Sequence, residues 1–287
     1  MDDVPPQLSP APRSLPLALS IRAVLGGPFA QMGWLFVGLG LVFSRVFDAG
    51  GAIESAVRFA GDPATAQGVT SSWRETSMSV NDVPVFETSY ELTVDGQRLR
   101  GVSYRTGSFL PPGEHVTVEY LPSDPATSRI RGMRTTPFGL ATAFVFLFPA
   151  IGAVFATLGM RRGLQARRLM STGSLAFGTL TSKLPTNMKV NEQTVYELTF
   201  AFEAPPGGTY EVIARTHRAI QLEDEPRERL VYDPRDPHDA TLLDDLPCRP
   251  AIDGRGDFVV EGSGQTLRAA LNLVIPAATV AYTLLAR

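Results

Sequence analysis

Three stretches of this chain are apolar and free of charge. No Asp, Glu, Lys or Arg occurs in Ala23–Ser44, Thr135–Met160 or Ala269–Ala286, runs of 22, 26 and 18 residues. A helix needs about 20 apolar residues to cross about 30 Å of hydrocarbon. The first run meets that length, and Gly26, Gly27 and Pro28 fall at its start, where a bent backbone is tolerated. The second is richer, with Phe144, Phe146, Phe148, Ile151 and Phe155, and Pro149 near its middle predicts a kink. The third contains Asn272 and Pro276 and spans only if its flanks, Arg268 and Arg287, snorkel to the interfaces. The pattern predicts membrane helices over 23–44, 135–160 and 268–286. The competing reading of each run is a buried core helix, but the aqueous segments between them read as β structure too small to enclose long apolar helices.

Between the runs the hydrophobic period changes to two. Tyr196, Leu198, Phe200 and Phe202 alternate with Glu197, Thr199 and Glu203, the pattern of a half-buried strand. Phe86, Tyr90, Leu92 and Val94 repeat it, and Asp95-Gly96 signals a hairpin. The second stretch turns through Pro205-Pro206-Gly207-Gly208. The likeness is an internal duplication: residues 66–106 align with 176–216 at a shift of 110 with 12 of 41 positions identical. Among the matches are Gly68/Gly178, Thr76/Thr186, Met78/Met188, Asn81/Asn191, Val102/Val212, Arg105/Arg215 and Thr106/Thr216. At a shift of 112, Tyr120, Pro122, Asp124 and Pro125 match Tyr232, Pro234, Asp236 and Pro237, both reading Tyr-x-Pro-x-Asp-Pro. Proline cannot donate to a ladder and Asp favours turns, so this motif ends a strand and reverses the chain.

The expected fold is therefore membrane α plus all-β modules: three transmembrane helices with two copies of a small five-stranded sheet curled into a partly closed barrel. The β modules occupy 61–134 and 171–246. A Pro-rich disordered tail takes 1–22 and a Gly-rich linker 247–267.

These residues resemble a family. A membrane helix precedes a short β module with aromatics four apart, Phe86 and Tyr90, followed by Gly113 and closed by Val118, Tyr120, Pro122, Asp124 and Pro125. The second copy has Tyr196, Phe200, Tyr232, Pro234, Asp236 and Pro237, with Leu230 in place of the valine and the acidic loop Glu223-Asp224-Glu225-Pro226 in place of the glycine. This is similar to the bacterial membrane proteins grouped under the domain of unknown function numbered three-five-nine-two, over most of 25–243. The resemblance implies a membrane location, no assigned activity and no catalytic residues.

Charge adds orientation. The chain carries 26 Lys+Arg and 29 Asp+Glu, 19% in all, and the charges crowd outside the three runs at an ordinary soluble density. Arg161, Arg162, Arg167 and Arg168 follow the second run directly, so they read as topology-setting and as possible contacts for anionic lipid headgroups. Counting basic residues near the helix ends favours a cytoplasmic N-terminus; with the bacterial membrane location that the resemblance implies, the expectation is a multi-pass protein of the bacterial inner membrane. A net charge of −3 gives no reason to expect nucleic acid as a partner.

Candidate chemistry is thin. The single Cys248 excludes a disulfide framework, and nothing orients it toward His238. His217 reads as a surface histidine. The acidic clusters Glu223-Asp224-Glu225 and Asp244-Asp245 lack the spacing of a calcium loop. Arg255-Gly256-Asp257 falls in the Gly-rich linker and reads as coincidence. Without charges in the runs, an ion or proton path has no stepping stones. The reading is a protein with no cofactor and no enzyme activity, which contacts the bilayer and an envelope protein partner. The alternative is an accessory subunit of a membrane enzyme or transport complex, its catalytic residues lying in the partner.

Overall fold

The computed structural model describes residues 8–217, 219, 227–260 and 265–285. The chain divides into two compact units, Met1–Gly38 with Ile151–Arg287, and Leu39–Ala150. Helices α1 (Leu17–Leu25), α2 (Pro28–Val46) and α3 (Ala49–Arg58) come first. Strands β1 (Ala64–Val80), β2 (Val83–Val94), β3 (Gln97–Thr106), β4 (His115–Leu121) and β5 (Asp124–Ile130) follow. A 3-10 stretch, Leu140–Phe146, runs into α4 (Leu147–Thr172). Then come β6 (Ser174–Val190), β7 (Gln193–Ala204), β8 (Gly208–Thr216), β9 (Glu228–Asp233) and β10 (Asp236–Leu242). A small hairpin, β11 (Pro250–Ile252) and β12 (Phe258–Val260), precedes α5 (Gln265–Leu285).

The two sheets are antiparallel, five-stranded and alike. The first runs β3-β2-β1-β4-β5 and the second β8-β7-β6-β9-β10, the same order strand for strand. Register repeats as well. Thr70 faces Tyr90, Ser72 faces Ser89 and Glu75 faces Phe86, with irregularities after Thr70 and after Glu75. Leu180 faces Phe200, Ser182 faces Thr199 and Pro185 faces Tyr196, with irregularities at the same two places. The identical residues explain the second bulge. The Thr76 and Thr186 hydroxyls donate to the carbonyls of Val85 and Val195 at 2.8 and 2.7 Å, and each accepts from a methionine N–H, Met78 or Met188, at 3.2 Å. Both hairpins then turn with positive φ at two residues, Asn81-Asp82 and Asn191-Glu192, which asparagine tolerates.

One part of the sequence alignment slips. Tyr90 pairs with Gly101, but Phe200 pairs with Val212, so β3 and β8 correspond at a shift of 111 rather than 110. The cause is the turn: Asp95-Gly96 is two residues, whereas Ala204 and Gly208 enclose three. A one-residue slip exchanges the faces of a strand, and accordingly Val102 is exposed while Val212 is buried. The identities Val102/Val212, Arg105/Arg215 and Thr106/Thr216 are therefore not structural equivalents. From β4 and β9 onward the shift is 112, with Ala66 facing Val118 and Ala176 facing Leu230.

The expected partly closed barrels are two open sheets. In the first, curl brings Tyr104 and Arg134 into one antiparallel bridge of 2.7 and 3.0 Å, and Ser103 Oγ accepts from the Ile130 N–H at 2.9 Å. No ladder closes, because β5 ends at Ile130 and Gly132 (φ +80°) turns the chain away.

Each sheet curls over its own core, and the two cores differ in chemistry. In the first, the fully buried Tyr90 hydroxyl bonds Ser128 Oγ at 2.9 Å, beside buried Ser103. The register places Phe200, Ala240 and Ala214 at these three positions in the second sheet, an apolar substitute for the whole hydroxyl group. Removing one member of such a pair strands the other, so Tyr90→Phe or Ser128→Ala alone should cost about 1–2 kcal/mol. The double replacement should cost less than their sum, a coupling readable in a denaturant double-mutant cycle.

Two helical stretches are long and apolar enough to cross a membrane, Pro28–Val46 and Leu140–Thr172. The apolar part of α5, Ala270–Leu285, falls short of the about 20 residues a crossing needs. Pro149 lies in the first turn of α4, after the 3-10 stretch, so it marks the change of helix type rather than a central kink. Pro276 does lie inside α5.

Small residues set the helix contacts. Buried Gly152, Ala156, Gly159, Gly163 and Ala166 recur along α4 at alternating spacings of four and three. They meet Ala23, Ala30 and Gly33: an added Cβ at Gly33 would lie 2.2 Å from the Ala156 N, at Gly159 2.3 Å from the Ala30 N, and at Gly163 2.2 Å from the Ala23 O. In the Leu39–Ala150 unit, Gly40 lies against Pro149 in the same manner, its added Cβ 2.2 Å from Cδ. Backbone-to-backbone approach of this kind packs helices where no hydrophobic drive separates protein from lipid.

Two expected irregular segments are structured. From Leu8 on, the N-terminal segment is bonded rather than a disordered tail; Met1–Gln7 lie outside the described residues. Ser9 N–H donates to the Gly256 O at 2.9 Å, and the Arg13 guanidinium donates to the carbonyls of Met170 and Gly173 at 3.2 and 2.8 Å. A cation there satisfies the unpaired carbonyls and opposes the negative end of α4, while Leu8 and Leu15 pack beside Leu19. The expected linker 247–267 contains the β11–β12 hairpin. Asp253 accepts from the Arg255 and Asp257 N–H groups at 2.9 Å each, and Cys248, Phe258 and Val260 are buried.

Candidate functional site

The two Tyr-x-Pro-x-Asp-Pro motifs are hairpin turns followed by bulges. Pro122 and Ser123 form the turn between β4 and β5, with Leu121 facing Asp124; Pro234 and Arg235 do the same, with Asp233 facing Asp236. Pairing resumes only at Tyr120–Ser128 and Tyr232–Ala240, so Pro125 and Pro237 sit in the bulge where no ladder N–H is needed. Asp124 accepts from Thr127 Oγ1 at 2.6 Å and Asp236 from the His238 N–H at 3.3 Å. Tyr232 is buried against Phe202, ring centroids 5.5 Å apart, while Tyr120 is half-buried. These residues shape the sheet and do not converge on a cleft.

The four arginines after the second run have separate surroundings. Arg168 pairs with Asp239 and lies 3.6 Å from Asp233, and Gln165 donates to Asp239 at 2.6 Å, so α4 is tied to the turn of the second sheet. Arg162 lies over the Phe29 ring at 5.2 Å. Arg161 and Arg167 are exposed and have no ion pair among the described residues.

The thiol and imidazoles stand apart. Cys248 Sγ lies 3.9 Å from Met170 Sδ in an apolar cluster, and burial pushes its pKa up to about 12, the opposite of what a nucleophile needs. His238 packs edge-on against Tyr210 at 5.2 Å. Among the described residues no three His, Cys, Asp or Glu side chains group as a metal site would require. The cluster Glu223-Asp224-Glu225 lies outside the described residues.

What sequence reading missed is an aromatic face on the first sheet. Trp73 stacks on Phe109 at 4.0 Å and 16°, and Phe86 completes the group at 5.9 and 5.8 Å. Trp73 and Phe109 remain 40% and 44% exposed. Among the described residues the strand edge beside them is unpaired: β1 pairs with β4 as far as Val69–His115, Thr70 adds backbone bonds to Gly113 and Glu114, and beyond it only the pairing with β2 continues, to Val80–Val83. In the second sheet the positions of Trp73 and Phe86 hold Lys183 and Tyr196, with the ammonium 4.9 Å from the ring centroid. The two copies thus present different chemistry at one address. The hint in the sequence is the loss of period two after Ser71, where Trp73 joins the core-side face beyond the core.

No family model matches the chain, and no curated protein matches it. One solved structure, a replication protein A heterotrimer bound to single-stranded DNA, shares 7% identity at a TM-score of 0.17, covering 74% of this chain and 52% of that chain. A likeness that slight carries no argument about fold or function.

Proposed function

We propose that this chain is an integral membrane protein that works by binding an envelope protein partner and has no catalytic activity of its own. Three helices cross the bilayer, the shorter α5 by local thinning of the bilayer around it, and they present one β module on each side, with the N-terminus cytoplasmic. The observation that carries the binding role is the half-exposed Trp73–Phe86–Phe109 face beside an unpaired length of β1. A free strand edge offers backbone hydrogen bonds to an added strand, and neighbouring aromatic pockets supply selectivity. Arg161 and Arg167 contact anionic headgroups, and Arg168 fixes the second module to α4. The bacterial inner-membrane location rests on the motif resemblance to the family of unknown function.

A photo-crosslinking residue at position 73 should give a discrete adduct in native membranes, and one at the remote turn position 96 should not. Equal labelling from both positions, or none from 73, removes the binding face from consideration. Reporter fusions at Gly96 and Gly207 should read opposite compartments; a shared compartment would sink the arrangement of one module per side.

A further inference from the structure

Between α1 and α2 the helix breaks at Gly26-Gly27, and Pro28 cannot donate. The break leaves the Leu25 carbonyl without a helical partner. A second break lies in α5, where Pro276 has no N–H for the carbonyl of Asn272, four residues earlier. One side chain serves both: Gln31 Nε2 donates to the Leu25 O and, at 3.0 Å, to the Asn272 O. The end of α1 and the middle of α5 are thereby pinned to one amide. Beside it opens a hollow of about 190 Å³ lined by Arg22, Gly26, Pro247, Leu271 and Asn272.

We infer that this hollow binds the phosphate of an anionic headgroup, with Arg22 as the cation and the Asn272 amide as a second donor. Arg22 is half-buried and has no ion pair among the described residues. The Asn272 side chain makes no hydrogen bond among them either, and its Nδ2 would stand 3.0 Å from a Cβ added at Gly26. The two residues that carry these unused donors line the hollow, and no acidic residue is in its wall. A guanidinium matches phosphate oxygens in its fork geometry, and an amide N–H adds a further bond. At about 30 Å³ per water, the space holds a headgroup fragment rather than acyl chains. Leu271 and Pro247 offer the apolar wall on which a glycerol backbone can rest. The hollow lies where the apolar span Pro28–Val46 begins, the depth at which headgroups sit. The lipid source of the phosphate rests on the membrane reading above; the anion chemistry does not.

The test is native mass spectrometry of the detergent-solubilised full chain with phosphatidylglycerol, phosphatidylcholine or glycerol 3-phosphate. Phosphatidylglycerol adducts should outlast phosphatidylcholine adducts. Arg22→Gln and Asn272→Asp should each weaken them about tenfold, the scale of one charge-assisted hydrogen bond, and Arg22→Lys should retain part. Asn272→Asp keeps the shape of the side chain, so it reports even if Arg22→Gln folds poorly. An Arg161→Gln/Arg167→Gln control should keep the preference. Competition by glycerol 3-phosphate at comparable concentration would assign the site to a free phosphate ester, and its failure to compete would assign it to lipid. Wild-type phosphatidylglycerol binding in both Arg22→Gln and Asn272→Asp, or its loss only in the Arg161/Arg167 control, would overturn the proposal. Release of the chain from membranes by alkaline carbonate would refute the membrane reading separately, since the glycerol 3-phosphate comparison does not depend on it.

Discussion

Gly159→Leu should destabilise the detergent-solubilised protein by about 3 kcal/mol or more, the upper end of what overpacking costs. A Cβ at this position would lie 2.3 Å from the Ala30 N and 2.7 Å from its Cα. Both are backbone atoms and cannot swing aside, so the helices themselves must part. Separation exposes the neighbouring contacts of Gly163 with Ala23 and of Gly33 with Ala156, which depend on the same close approach. Gly61→Leu is the matched control, because nothing lies within 4 Å of a Cβ there. The measurement is the fraction of monodisperse protein remaining after a heating series. Equal survival of the two variants would show that the seam is not what holds α2 to α4.

Tyr232→Ala should cost about 3–5 kcal/mol, the range for emptying a large aromatic site, and Tyr120→Ala clearly less. Tyr232 is buried within the second core, faces Ser174 and Ala240 across its neighbours and touches Phe202. Tyr120 occupies the same register position but stays half-buried. Tyr232→Phe separates structure from recognition: the hydroxyl has no hydrogen bond among the described residues, so losing it should leave the melting profile nearly unchanged. A large loss from Tyr232→Phe would mean that the tyrosine works through its hydroxyl and that the packing account is wrong.

The duplication was legible because its signal is local. Thr76, Met78 and Asn81 recur as Thr186, Met188 and Asn191 since each performs the same backbone task in the same bulge and turn. The five strands and the Tyr-x-Pro-x-Asp-Pro reversal could be read for the same reason. Closure could not: a curled sheet becomes a barrel only if its edge strands reach one another, and neither propensity nor period encodes that distance. The slip at β3 was hidden because matching letters are blind to faces, and only the turn of one extra residue at Pro205–Gly207 betrays it. Arg13 looked like part of a proline-rich tail because its partners, the carbonyls of Met170 and Gly173, lie more than 150 positions away. Cys248 and Phe258 looked like linker residues because their burial comes from α1 and α4.

The helix seam was half visible. Gly152 and Ala156 form a small-residue pair that any reader can find, but the continuation through Gly159, Gly163 and Ala166 alternates four with three and matches no single fixed spacing. The aromatic face of the first sheet required the fold, since Phe109 lies in the loop after β3 and reaches Trp73 only through the curl of the strands.

The division into units has a consequence for biosynthesis. Leu39–Ala150 is one unbroken length of chain, whereas the other unit needs Met1–Gly38 and everything from Ile151 onward. Domains fold largely as units while the chain is being made. The module synthesised first can therefore finish while the ribosome is still at work on α4. The earliest residues cannot: Arg13 waits for Gly173, Ser9 for Gly256 and Gln31 for Asn272. Residues 9–31 are thus among the last parts to find a place, and a ribosome that stalls after the first module releases them with nothing to hold.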